Sequence, residues 1–347
     1  MIAAPVVVHA TTADWVVAPA VAPSSEIAWL EVGRRLGDPR ILASFHGDRL
    51  RLRIGKRARS IVNGACTQAP CDDVQAPVAL AGGGFAYAAG FGEGGEYVGA
   101  VDAAGVSRLI GEEHADEDAD EPAVAPALVA ATGDRIAWVE RERVVWSPAV
   151  GGAHSVAVAK GDTGGAITSL AGLDGALAWT ARTAAGGTEL RVRLANGEVQ
   201  VRAAEPDAAK GVLSGVAIAP EGVILVVRTA PVRGGRVQTL RRHLPDGTVE
   251  DLVVSGTLPR SDADRMRPSA SGTRVAVRVR TGRAGSREEI WLLDTASGQR
   301  RKVVAVDRNA ARLSNPALSA DRLVWARTDL SGGWKLKRSR IFSARMR

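Results

Sequence analysis

Short apolar runs bounded by polar turns recur along the whole chain, and their alternation is that of strands. Seven of them occupy comparable places: IAWLE (Ile27 to Glu31), FAYAA (Phe85 to Ala89), IAWVE (Ile136 to Glu140), LAWTA (Leu177 to Ala181), ILVVR (Ile224 to Arg228), VAVRV (Val275 to Val279) and LVWAR (Leu323 to Arg327). Between their middle residues the steps are 58, 51, 41, 47, 51 and 48, the period of one four-stranded blade in a β-propeller.

The sixth repeat shows the grammar most clearly. Arg267-Pro268-Ser269-Ala270-Ser271-Gly272 reads as an inner strand running into a turn, RVAVRVR (Arg274 to Arg280) as the second strand, EEIWLLD (Glu288 to Asp294) as the third and RRKVVAV (Arg300 to Val306) as the fourth. Runs of five to seven residues, rich in β-branched side chains and separated by Gly-containing turns, favour antiparallel strands over helices. The fourth and fifth repeats divide in the same way, with Asn196-Gly197 and Pro245-Asp246-Gly247 as hairpin turns.

The pattern predicts one all-β domain over 1–347, with blades at about 13–63, 74–112, 124–160, 166–204, 211–255, 267–306 and 312–347. Pro5 to Ala10 is a strand-like piece without a blade of its own. Val6 to His9 is therefore expected to supply the outer strand of the last blade, closing the ring and covering an open edge. The first repeat is irregular, because ILASF and RLRLRI are both strand-like after IAWLE. Seven blades fit best, with six and eight as alternatives.

Ala219-Pro220-Glu221-Gly222 before an apolar strand, and Ser269-Ala270-Ser271-Gly272 before VAVRV and IWLLD, resemble the Ser-Pro-Asp-Gly turn and "I-(W/Y)-x-x-D" strand of TolB-type, WD-repeat-like bacterial propellers. The resemblance spans nearly the whole chain and implies fold rather than activity.

Composition changes this picture little: 24% charged and 46% apolar residues are ordinary for a globular protein. No apolar run approaches the ~20 residues of a membrane-spanning helix. MIAAPVVVHA lacks a basic start and is broken by Pro5, so it makes a poor secretion leader as written. Either the protein is cytoplasmic or a leader lies upstream of this start. Cys66 and Cys71 enclose only four residues in a Pro-containing loop. A local disulfide between them, or two free thiols, are the readings left open, since two sulfurs without further ligands cannot complete a zinc shell. The disulfide implies an extracellular or periplasmic setting.

Charge is unevenly spread. Residues 1–227 carry 19 basic and 27 acidic side chains, and residues 228–347 carry 26 and 11. Such a split can steer an anionic partner or align two copies, although scattered surface arginines are the commoner explanation.

Motifs for chemistry are scarce. Trp29, Tyr87, Trp138, Trp179 and Trp325 stand mid-strand in equivalent repeats and read as packing between blades. Asp116, Asp118 and Asp120 have the Asp-x-Asp-x-Asp rhythm of a calcium loop, but the sixth and twelfth positions, Glu121 and Ala127, are wrong for one. They are a weak metal candidate within a solvated loop. Gly90 to Gly95 matches G-x-G-x-x-G but leads into a strand, not the helix that would hold a pyrophosphate.

There is no G-x-S-x-G, H-E-x-x-H or P-loop. The five histidines, His9, His46, His114, His154 and His243, fall in different repeats, and the acids Asp174, Glu221 and Asp321 sit at turns. Lone Trp334 within a basic strand is no stacking platform for nucleic acid.

No catalytic residue and no cofactor is therefore assigned. The expected function is an exported, non-enzymatic scaffold for a protein or an anionic envelope polymer. The alternative is a propeller hydrolase or lyase acting on a glycan or peptide, with His46, His154, His243 and the turn acids converging from several blades. Thiol titration of the unfolded, unreduced protein is expected to give no free thiol; two titratable thiols would remove the argument for export.

Overall fold

The computed structural model describes residues 2–33, 46–47, 49–54, 57–63, 73–90, 95–114, 128–140, 142–260, 266–332 and 335–346. It is a seven-bladed β-propeller. Blade 1 comprises Asp14–Val21, Ile27–Gly33, Arg49–Ile54 and Arg57–Asn63, from the inside outwards. Blade 4 comprises Ala166–Leu173, Ala176–Arg182, Thr188–Arg193 and Val199–Glu205. Blade 5 comprises Val212–Ala219, Val223–Val232, Gly235–His243 and Val249–Val254. Blade 6 comprises Ser269–Ser271, Arg274–Thr281, Arg287–Asp294 and Arg300–Asp307. All pairings within blades are antiparallel, as short hairpin turns require. Helix among the described residues is confined to single turns such as Lys160–Asp162 and Pro220–Gly222, and no helix there is long and apolar enough to cross a membrane.

The ring is closed by packing between neighbouring blades. Innermost strands of successive blades touch all the way round, from blade 1 to blade 7 and back. Apolar clusters span each junction, such as Leu30 and Leu52 of blade 1 with Phe85 and Tyr87 of blade 2. Val144 and Trp146 of blade 3 meet Leu177 and Trp179 of blade 4, and Val227 and Leu240 of blade 5 meet Val275 and Val277 of blade 6. Trp29, Trp179 and Trp325 are fully buried in this way. Their equivalent places in the repeat follow from the large wedge that each inter-blade contact must fill. Buried indoles still need partners: Trp179 Nε1 donates to the Thr163 carbonyl at 2.9 Å.

The last blade joins both ends of the chain. Its second and third strands are Arg322–Ser331 and Lys335–Arg345, and Val6–Thr11 forms its outer strand by pairing with the latter, as expected for closure. The basic strand near the C-terminus is thus the third strand of its blade, not an exposed outer one. Blade 2 is less regular than the repeat predicted. Asp73–Gln75 and Val78–Ala79 share the inner edge of Phe85–Gly90, and His46–Gly47, arriving from blade 1, pairs with Val74 and Gln75.

A polar clasp sits where the closing strand meets blade 1. Glu31, 4% exposed, has one carboxylate oxygen 3.3 Å from His9 Nε2, 3.1 Å from the donating Trp29 Nε1 and 3.6 Å from Arg51 Nε. The His9 ring lies over Trp29 at 4.7 Å. Burial pushes the Glu31 carboxyl up, but hydrogen bonds from His9 and Trp29 and the charge of Arg51 outweigh it and hold it below the usual carboxylate range. A carboxyl lowered on folding adds stability above its unfolded pKa, and that stability is lost as pH falls through the folded value. Glu31→Gln is accordingly expected to cost about 1–3 kcal/mol at neutral pH. In denaturant titrations the gap from the parent protein should close in acid, and a gap independent of pH would remove the clasp from this account.

Candidate functional site

Alternating strand direction sorts the connections onto two mouths. At one lie the turns between first and second strands and between third and fourth strands. These are short and acidic: Asp134, Asp174, Glu221 and Asp321 are exposed there. Asp246 and Asp294 accept backbone N–H groups of Thr248 and of Ala296 and Ser297, which hold their turns. Asp174 and Glu221 adopt φ of 46° and 62°, the left-handed conformation a tight turn needs and Asp tolerates better than most residues. Their recurrence is turn geometry.

At the other mouth emerge the connections from second to third strands, as short as two residues in blades 3 and 5, and the longer ones from each blade to the next. The stretches carrying Cys66 and Cys71, and Asp116, Asp118 and Asp120, join strands that end at this mouth, and these five residues lie outside the described residues. Gly90 and Gly95 end two adjacent antiparallel strands of blade 2, so the glycine-rich stretch links strand to strand, without a helix to receive a phosphate.

The histidines do not converge. His154 precedes the outer strand of blade 3 at the tight-turn mouth, its ring edge-on to Trp138 at 5.9 Å. His243 ends the third strand of blade 5 at the same mouth, and is 6% exposed. Burial, with the charges of Arg241 and Arg202, pushes its imidazole below the ordinary histidine pKa. His9 is in the outer strand of blade 7, and His46 is at the opposite mouth, its backbone paired with Gln75. His114 ends the outer strand of blade 2.

Besides His46, on the short strand that flanks Asp73–Gln75, ionisable residues on the described first strands of the blades are few: Asp14, Asp73 and Arg312. Each lies in the half of its strand nearest the mouth of long connections. Elsewhere the channel wall is mainly Ala, Gly, Val, Leu, Ile, Ser and Thr, as in AITSLAGL and VLSGVAIA. Among the described residues no three His, Cys, Asp or Glu side chains come close enough to hold a metal ion.

A cluster of charge at this mouth surrounds Glu288, between blades 6 and 7. Glu288 begins the third strand of blade 6 and is 1% exposed. One carboxylate oxygen accepts from Arg308 Nε at 2.9 Å and from Arg312 Nη1 at 3.4 Å, with Arg278 Nη1 at 3.7 Å. The other accepts the Leu313 backbone N–H at 2.6 Å. Arg278 also donates to the Leu313 carbonyl at 3.1 Å, which stitches the two blades together.

Arg280 lies one pleat further towards the mouth, 4% exposed. Its guanidinium is pulled down to about 9, first by burial and then by the like charges of Arg308, Arg312 and Arg236, against the opposing pull of Glu288. The same strand turns Val275, Val277 and Val279 towards blade 5 and Ala276, Arg278 and Arg280 towards blade 7. Arginine at two positions of a strand buried on both faces is the departure from the repeat that could have revealed this cluster in the sequence. The basic excess of residues 228–347 was visible there, but not its convergence.

The closed seven-bladed ring and its polar mouth define a β-propeller, and comparison with solved structures agrees. An oligogalacturonate lyase in complex with manganese is similar over 99% of this chain and 98% of its own, with TM-score 0.54 and 10% identity. The oligogalacturonate lyase of Vibrio parahaemolyticus is similar over 99% and 94%, with TM-score 0.53 and 10% identity. A puromycin-hydrolyzing peptidase of Mycobacterium tuberculosis is similar over 94% of this chain, with TM-score 0.54 and 14% identity, but this chain spans only 54% of that one. At such identities the likeness is one of fold. No protein-family model matches the chain, and no curated protein matches it in sequence.

Glu288 is the carboxylate that three guanidiniums share, so its removal leaves buried positive charge without its counter-charge. Glu288→Gln is expected to destabilise the protein by about 3–5 kcal/mol, read as a lowered denaturant midpoint; an unchanged midpoint would show that the cluster is solvated well enough not to need it.

Proposed function

We propose that this propeller is an exported binding scaffold that engages an acidic envelope polymer, or a protein with an acidic surface, at the mouth of long connections. One observation carries the reading. Along the described channel wall, ionisable groups are confined to that mouth, and the concentrated charge there is positive. General acid–base chemistry needs a donor and an acceptor within hydrogen-bond reach of one bond, and the described histidines and turn acids are divided between opposite ends of the ring. A cationic mouth on a rigid scaffold suits recognition, with long-range attraction raising the rate of encounter.

A second reading is that the protein cleaves an acidic glycan. It is favoured by the likeness to two oligogalacturonate lyases along almost their entire length, whereas half of the peptidase has no counterpart here. The three solved neighbours named above are enzymes, which leans towards this reading; the channel wall leans towards the first. His46, Asp73 and Asp14, at the one mouth, are the residues on which such an activity would draw.

Polygalacturonate serves both. The scaffold reading expects the purified protein to be retained on the immobilised polymer at low salt and released at high salt, with no unsaturated or reducing ends formed. Accumulation of new ends that is abolished in a His46→Ala variant would replace it with the second reading. Failure to retain either polygalacturonate or an acidic protein at low salt would remove both.

A further inference from the structure

We propose that His243 is a proton-operated catch on the seam between blades 4 and 5: its neutral imidazole lets the two blades close at the tight-turn mouth, and a proton parts them. The catch is independent of what the ring binds.

Placement is the first ground. His243 and Ile224 are paired residues of neighbouring strands in blade 5, so their side chains share one face of the sheet. Ile224 belongs to the apolar cluster that joins this face to Leu190 and Val192 of blade 4. The imidazole is 6% exposed, and its Nε2 is buried without a hydrogen bond. A neutral ring tolerates such a place at modest cost. An imidazolium, with a full charge and two N–H donors to satisfy, does not.

The neighbouring charges are the second ground. Arg241 shares the strand of His243 and lies on the same face, and Arg202 comes from the outer strand of blade 4. Both are anchored: Arg202 Nη1 donates to the Pro245 carbonyl at 3.1 Å, in the turn that follows His243, and Arg241 Nε donates to Asp251 Oδ1 at 2.9 Å. Among the adjoining turn acids, Glu198 accepts from Gln200, Asp246 accepts the Thr248 backbone N–H and Glu221 is exposed. Among the described residues no carboxylate pairs with the imidazole. His9, by contrast, stands 3.3 Å from Glu31, and His154 is exposed to water. His243 has neither counter-charge nor solvent.

Together these give the catch its direction. Burial first, then Arg241 and Arg202, hold the imidazole below its ordinary value. The ring therefore takes up a proton readily only when the seam has parted. A closed seam is fully favoured above the pKa of a histidine in water, about 6.5, and loses ground as pH falls from there towards the lowered value. The Glu31 clasp gives way only in the carboxylate range, at lower pH, so the two effects do not overlap.

The test compares amide hydrogen exchange of the full chain at about pH 7.5 and about pH 5, each corrected for the intrinsic chemical rate. The proposal expects opening of Val199–Glu205 and Val249–Val254 to rise about threefold or more in acid, with Arg300–Asp307, in the outer strand of blade 6, unchanged. His243→Leu should abolish the rise, and His154→Gln should keep it. In proton NMR of the parent protein, the imidazole signal that disappears in His243→Leu should titrate below an ordinary histidine, and Arg202→Gln should move it back up by removing one flanking cation.

The NMR titration needs no variant to keep the parent's stability, since the signal is followed in the parent protein. A His243 signal titrating at or above the ordinary value would overturn the catch. So would a rise that survives in His243→Leu, or one spread evenly over all blades, which would make the proton a matter of global stability and not of this seam.

Discussion

Every blade of this ring is apolar on both faces, and neither face can be left to water. That single constraint organises the molecule. The second strand of each blade, with its central Trp, Tyr or aliphatic residue, lies in the wedge between neighbours, so each blade completes the core of the next. The arrangement is stable only when the circle closes. Closure falls on one strand, Val6–Thr11, which donates the outer edge of the last blade, and on the clasp that Glu31 makes with His9 across that junction.

The parts legible in the sequence are those the constraint repeats. Trp29, Trp138, Trp179 and Trp325 recur because each fills the same wedge, and Asn196-Gly197 marks a hairpin because its backbone conformation suits few other residues. Such features depend on neighbours in the chain or on the period. The clasp and the arginine cluster depend on neither. His9 and Glu31 meet because the ends of the ring meet, and Arg278, Arg308 and Arg312 share Glu288 because two blades do. The pairing of His46 with the inner edge of blade 2 was equally invisible, since it belongs to no repeat. Turn acids such as Asp174 and Glu221 carried the opposite risk: they recur like a site, yet recur for reasons of backbone geometry.

The uneven charge of the chain is spread over both mouths of the folded ring. In the sequence it divides an acidic first part from a basic last part. In the structure the tight turns present Asp134, Asp174, Glu221 and Asp321 at one mouth, and blades 5 to 7 gather arginine at the other. Arginines stand among those acids too, for Arg202 and Arg241 flank His243 and Arg135 and Arg193 lie over Trp146 at the same mouth.

The last blade carries a consequence for how the chain becomes a protein. Val6 pairs with Ser343, and Val7 with Phe342, so the ring's first strand has its partner in the ring's last. A chain emerging in order, from a ribosome or through a pore, can assemble blades in succession but holds an unpaired first strand throughout. It also leaves the apolar outward faces of its two end blades uncovered until the final strand arrives. Pairings this distant form slowly and leave sticky surfaces waiting. The ring is thus an all-or-nothing object in time as well as in space, and the interval before closure is when such a chain is most exposed to aggregation and to proteases.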